Sequence, residues 1–167
     1  GLVGGTDSYE RAFLGKMVRE ASFANGIETG MVYLPECDDS DESCISLKHA
    51  RTYEELLENS DAVFIASHPS EHAKQIDEAL SSGIHVMCEE PLALNPADTE
   101  RLFSKADELN LVLTGAIRTA YSTAFARLML LVKSGRIGKV VSVDSTCTSL
   151  RGFPGEPSKN LGSLLAW

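Results

Sequence analysis

Positive charge is scarce in this sequence: 15 Lys and Arg stand against 24 Asp and Glu, a formal net charge of −9 over 167 residues. Such a balance repels a phosphate backbone and leaves no counterion-release term, which argues against a nucleic-acid partner. No apolar run approaches the roughly 18 residues that a spanning helix needs, and no basic-then-apolar leader opens the chain. We therefore expect a soluble, cytoplasmic protein with no membrane partner. The four cysteines, Cys37, Cys44, Cys88 and Cys147, lack CxxC spacing, so neither a zinc site nor a disulfide framework is suggested and the thiols read as reduced. No repeat of fixed period is present, and the only biased segment is the acidic run from Glu36 to Glu42, which reads as a loop.

What the chain does have is apolar content, 43% of its residues, in a length close to one domain plus the beginning of another. Strand-like apolar runs at Gly1–Val3, Gly30–Leu34, Ala62–Ala66, Ile84–Cys88 and Leu111–Thr114 alternate with helical patterns at Tyr9–Ala24, Tyr53–Asn59, Ser70–Ser81 and Pro96–Leu109. That alternation predicts an α/β fold, a Rossmann-like parallel sheet with helices on both faces. Local signals agree: Thr52 begins a Ser/Thr-x-x-Glu capping box with Glu55, Asn95 precedes Pro96 at a first helical position, and Gly83 is placed to stop a helix. Runs that are apolar on both sides predict burial of Val63, Ile65, Val86 and Leu113. After about residue 118 the pattern changes to a helix over Tyr121–Ser134, a strand over Lys139–Thr148 and a Gly/Pro-rich loop over Arg151–Lys159, read as the truncated beginning of an α+β second domain over 119–167. A single strand is not stable as a sheet. We expect it to pair with residues of a longer protein or with a second copy.

The first strand candidate runs into Val3-Gly4-Gly5-Thr6-Asp7-Ser8 and then a helix. In doubly wound folds a glycine turn there holds a pyrophosphate with backbone N–H groups and a helix N-terminus, which marks Gly4, Gly5 and Thr6 as cofactor-binding candidates. The segment does not follow G-x-G-x-x-G, because Gly4 and Gly5 are adjacent and the next glycine is Gly15. A carboxylate near the end of the second strand would hold the ribose diol of NAD; Leu34 stands in that slot and Glu36 just beyond it. With no Lys or Arg between Met31 and Leu47, a 2′-phosphate would meet repulsion, so the expected cofactor is NAD, with NADP second.

Three segments then come in order. The first is Ala62-Val-Phe-Ile-Ala-Ser67-His68-Pro69-Ser70-Glu71-His72. The second is Gly83-Ile-His85-Val-Met-Cys88-Glu89-Glu90-Pro91-Leu92-Ala93. The third is Gly115-Ala-Ile-Arg118 followed by Gly135-Arg-Ile-Gly138-Lys-Val. Together, over roughly Thr52 to Thr148, they resemble the glucose-fructose oxidoreductase, inositol dehydrogenase and MocA family, with its strand ending in Thr-Pro-Asn-x-x-His, its Gly-x-His-Val-x-x-Glu-Lys-Pro-Leu-Ala and its Gly-x-Ile-Gly-x-Val entry to a second domain. The resemblance implies a Rossmann domain followed by an open-sheet domain that covers the nicotinamide and often mediates oligomers. It also implies hydride transfer between the nicotinamide and a sugar, polyol or sugar derivative. By position, Ser67, His68, Pro69 and His72 would line the cofactor, Glu89 and Pro91 would shape its nicotinamide end, with Pro91 after a cis bond, and Arg118 would lie near the domain junction.

Two departures bear on the chemistry. Glu90 occupies the position of the family's lysine, whose ammonium donates to the reacting oxygen. An ionised carboxylate only accepts hydrogen bonds, so Glu90 can donate only if its pKa is raised. Leu161-Gly-Ser-Leu-Leu-Ala166-Trp167 is similar to the family's Gly-x-Leu-x-Asp, with Ala166 at the Asp. Three readings stay open on the sequence: an NAD-linked oxidoreductase with altered proton chemistry, a catalytically impaired relative that binds a nucleotide or sugar nucleotide, and a structural subunit.

Overall fold

The computed structural model describes residues 1–5, 8–35 and 47–144. They divide into two units, Gly1–Ala116 and a second that begins at Ile117. In the first unit six strands, β1 (Leu2–Gly4), β2 (Met31–Tyr33), β3 (Lys48–His49), β4 (Ala62–Ala66), β5 (His85–Cys88) and β6 (Leu113–Gly115), lie in the order β3-β2-β1-β4-β5-β6. Every adjacent pair is parallel, with Leu2 opposite Val32 on one side and Phe64 on the other. The doubly wound sheet expected from the alternation is therefore present. Val63 and Val86 at 2% exposure, Ile65 at 0% and Leu113 at 8% are buried as expected.

Each helix is explained by its first and last residues as much as by its periodicity. Helix α1 spans Ser8–Ala21, shorter than the expected Tyr9–Ala24 because residues 22–24 close as turns onto Val18, Glu20 and Ala21 carbonyls. Helix α2 (Tyr53–Glu58) is capped by Thr52, whose hydroxyl accepts from Glu55 N–H at 3.1 Å. The reciprocal arm of the capping box is displaced by one residue: Glu55 Oε2 accepts from Arg51 N–H at 2.8 Å. Helix α3 (Pro69–Ser81) starts at its proline behind His68, and α4 (Pro96–Glu108) starts behind Asn95, whose side chain accepts from Ala97 N–H at 3.0 Å. Gly83, at φ +79°, supplies the left-handed residue that ends α3's exit turn before β5.

The sheet's two faces are covered unequally. Helices α2, α3 and α4 bury Val3, Met31, Val63, Ile65, Val86 and Cys88 on one face. On the other, α1 places Leu14 over Leu2, Val32, Leu34 and Phe64. The sequence reading treated β5 as apolar and covered on both sides; instead His85 is exposed and Met87 is 38% exposed, so that face of β5 is open among the described residues. Strand β3 went unrecognised because its two residues, Lys48 and His49, carry no apolar signal, and their pairing with Met31 and Val32 defines them. The last strand begins at Leu113 rather than Leu111, since Leu111 N–H still bonds Ala106 O in the turn after α4.

The second unit contains a 3-10 turn at Arg118–Tyr121 and α5 (Thr123–Lys133), capped by Ser122, whose hydroxyl accepts from Phe125 N–H at 3.2 Å. The expected strand over Lys139–Thr148 is not formed in its described part, 139–144, where Val141 and Val143 are exposed. A strand exists only against a partner, and among the described residues none lies beside it. Residues 145–148, the 151–159 loop and the 161–167 segment with Ala166 lie outside the described residues.

Candidate cofactor cleft

The strand order reverses between β1 and β4, because β1 leads outward to β2 and β3 while β4 leads to β5 and β6. Connections depart in opposite directions there, leaving a crevice beyond the carboxyl ends of the strands, where open α/β sheets place their ligands. A cleft of about 550 Å³ lies at this edge. Gly5 follows β1, Tyr33 ends β2 and Pro35 lies just beyond it, Arg51 follows β3, and Ser67, His68, Glu71 and Lys74 form the β4–α3 side.

The glycines divide between packing and lining. Gly4 is the last residue of β1, and a Cβ there would stand 2.4 Å from Leu14 and 2.6 Å from Leu34. Its missing side chain therefore admits two core leucines. Gly5 is the residue that lines the cleft. Thr6 and Glu36 lie outside the described residues. Leu34, in the slot where a ribose-holding carboxylate was sought, is 6% exposed and sits in the core with Leu14 and Phe64.

The β4–α3 junction gathers three of the expected residues through hydrogen bonds. Ser67 is buried and its hydroxyl donates to Gln75 Oε1 at 2.5 Å; Pro69 is the first residue of α3. His68 is exposed and caps the helix, its Nδ1 accepting from Ser70 N–H at 3.3 Å. His72 is 1% exposed, with Nδ1 2.7 Å from Pro91 O and Nε2 2.8 Å from Ser67 O. A neutral imidazole donates to one of those carbonyls, and only the imidazolium donates to both. Burial favours the neutral ring and holds its pKa below the usual histidine value, while the two carbonyls pull it upward. His72 thus stands between the residue after β4 and the turn after β5, with a ring nitrogen against a carbonyl of each.

That turn carries Glu89, Glu90 and Pro91, with the expected cis bond between Glu90 and Pro91. Glu89 extends the sheet pairing by donating its N–H to Ile65 O at 2.9 Å. Glu90 is exposed but its carboxylate lies on Gly115, where an added Cβ would collide with Oε1. Partial burial there raises its pKa above the usual carboxylate value. Beneath it the Cys88 thiol is buried, and burial followed by the Glu90 and Glu89 charges pushes its pKa up, which keeps it an inert thiol. Arg118 opens the 3-10 turn of the second unit.

A family model described as an oxidoreductase family with an NAD-binding Rossmann fold, GFO_IDH_MocA, matches residues 24–116. The chain belongs to the Gfo/Idh/MocA family. It is 37% identical over 98 residues to a dTDP-3,4-didehydro-2,6-dideoxy-alpha-D-glucose 3-reductase of Streptomyces violaceoruber, an alignment covering 58% of this chain and 29% of that protein. It is 32% identical over 87 residues to a myo-inositol 2-dehydrogenase of Thermotoga maritima, covering 51% of this chain and 26% of the relative. Among solved structures, UDP-N-acetylglucosamine 3-dehydrogenase GnnA of Acidithiobacillus ferrooxidans superposes with a TM-score of 0.65 at 22% identity, over 77% of this chain and 41% of the other. The chain therefore spans less than a third of the length of these two curated Gfo/Idh/MocA relatives.

The residues present fit the dinucleotide that this family binds. A glycine, a helix-capping histidine and a guanidinium line a crevice at the switch point, donor types suited to a pyrophosphate and two riboses, while the Ser67 hydroxyl is committed to Gln75. Of the residues expected to bind a cofactor, Gly5, Ser67 and His68 line the cleft, together with Arg51, Tyr33, Lys74 and Gln75, which the sequence does not single out. Arg51 could be placed only by recognising β3, and Lys74 and Gln75 only by phasing α3 against the cleft. Among the described residues no group of three or more His, Cys, Asp or Glu is arranged to hold a metal, and no helix is long and apolar enough to cross a membrane.

Proposed function

We propose that this chain is the dinucleotide-binding part of an NAD(P)-dependent oxidoreductase that transfers hydride to or from a sugar, polyol or sugar derivative. The observation that carries the reading is the cleft at the β1/β4 switch point, with Gly5, Ser67 and His68 on its walls and the Glu89-Glu90-Pro91 turn held to Ser67 through His72. The sugar and inositol names among the relatives support the substrate class. The nicotinamide, when bound, accepts or returns the hydride. The protein's own part is to hold the dinucleotide along the carboxyl edge and to handle the hydroxyl proton. Glu90 stands where the family carries lysine. As a carboxylate it can take the proton of a substrate hydroxyl, and its raised pKa keeps a protonated, donating form to higher pH than an ordinary glutamate would. The second unit is read as the start of the substrate domain, through which the full-length cytoplasmic protein self-associates.

The test is turnover by the full-length protein on a polyol and sugar panel, followed by nicotinamide absorbance. If Glu90 only costs the enzyme its proton donor, Glu90→Lys raises the rate, on the order of a hundredfold for a full donor effect. Wild-type turnover at an ordinary rate, unchanged by Glu90→Gln, overturns any role for this residue. A second reading, a binding or regulatory module, draws on Leu34, which occupies the ribose slot with a buried apolar side chain. Under it, dinucleotide copurifies with the protein and neither wild type nor Glu90→Lys turns over.

A further inference from the structure

The expectation of NAD over NADP rested on the absence of Lys and Arg between Met31 and Leu47, and Arg51 lies four residues beyond that window. Its place in the sheet matters more than its place in the chain. Strand β2 pairs β3 with Met31 opposite Lys48 and Val32 opposite His49, and Ala50 N–H donates to Val32 O at 2.8 Å. The same offset of 17 brings Arg51 level with Leu34. In a doubly wound fold that level, at the end of the second strand, is where the adenosine ribose presents its 2′ position: a carboxylate there selects the free hydroxyl, and a nearby arginine accommodates a 2′-phosphate. Here Leu34, the residue after β2, is turned into the core, and the guanidinium belongs to a residue that follows the neighbouring β3.

Three features make Arg51 available for a ligand. Its side chain is exposed and lines the cleft with Tyr33 and Pro35. Its backbone is fixed, because its N–H is held by Glu55 Oε2 beside the Thr52 cap. Among the described residues its guanidinium pairs with no carboxylate within 4.0 Å. Among the described residues the cleft's carboxylates are Glu54, Glu71 and Glu78. Glu78 lies 4.0 Å from Lys74, and Glu71 Oε1 accepts from the Ser70 hydroxyl at 3.4 Å on α3. The planar guanidinium can meet two oxygens of a phosphate monoester at once, and such a group carries about −1.5 to −2 charge at neutral pH.

We propose that Arg51 is the residue that selects a 2′-phosphorylated dinucleotide, so that the cofactor is NADP rather than NAD. This rests on the dinucleotide-binding reading above and adds the identity of its adenosine end. The test uses binding rather than turnover: isothermal titration of the full-length protein with 2′,5′-ADP and with 5′-AMP. Wild type binds 2′,5′-ADP at least tenfold more tightly than 5′-AMP, Arg51→Ala brings the ratio of the two affinities to about one, and Arg51→Lys keeps part of the preference. Equal affinity for the two nucleotides in wild type, or a preference that survives Arg51→Ala, overturns the assignment and leaves the dinucleotide reading intact. Failure of both nucleotides to bind overturns the dinucleotide reading and this proposal with it.

Discussion

His72 shows how much of the site's organisation depends on one ring. It stands between Ser67 O and Pro91 O, and the neutral ring donates to one of them, so a side chain that cannot reach that carbonyl leaves a buried acceptor without its donor. His72→Gln should cost about 1–3 kcal/mol at pH 7.5, measured by urea unfolding. The pH dependence has a definite sign. Because the folded ring resists protonation and the unfolded one does not, the unfolded state binds the extra proton below about pH 6.5, and wild type loses stability as pH falls through that value. His72→Gln lacks this loss, so the gap between the two proteins should narrow between pH 7 and pH 5. A gap that widens would mean that the imidazolium is the favoured buried form. The residue scale is also where the sequence was least legible. His72 was marked by its motif, but nothing in its spacing showed that both nitrogens face carbonyls. Arg51 carried no motif at all, because its role comes from a register between strands.

At the scale of elements, caps and two-sided apolar runs were readable, since a helix start such as Asn95-Pro96 and a run such as Ala62–Ala66 encode their structure locally. Elements defined by a neighbour were not: β3 has two residues, and 139–144 forms no strand among the described residues. Contacts between helices also lie beyond such reading. Asp77 on α3 accepts from Arg101 Nη1 at 2.6 Å and lies 3.0 Å from Lys105 Nζ, both on α4. The Arg101 hydrogen bond, then Lys105, holds the Asp77 carboxyl below the usual carboxylate range. Because its folded pKa is depressed, its contribution is fully present above the unfolded value near 3.9 and is lost as pH falls below that value through the lower folded one. Asp77→Asn should therefore cost about 1 kcal/mol or less at pH 7, the groups being substantially exposed, and less at pH 2.5 than at pH 7. A cost that does not shrink as pH falls from 7 to 2.5 would assign the effect to packing instead of charge.

At the scale of the molecule, the six strands and both apolar clusters among the described residues lie within Gly1–Ala116. A fragment of residues 1–116 should keep a cooperative thermal transition and the far-ultraviolet dichroism of a mixed α/β chain; a non-cooperative melt would show that later residues complete its core. The strand order that creates the cleft also sets a schedule for the ribosome. Strand β1 is made first, yet it is central, with Leu2 paired to Phe64 across 62 positions of sequence. At roughly 5–20 residues per second, the nascent chain holds Leu2 and Val3 without their β4 partners for about 3–12 s. Meanwhile β4, α3, β5, α4 and β6, neighbours in sequence as well as in space, can assemble in the order they emerge. Codon substitutions that slow synthesis before residue 62 should lower soluble yield, whereas the same slowing after residue 66 should not.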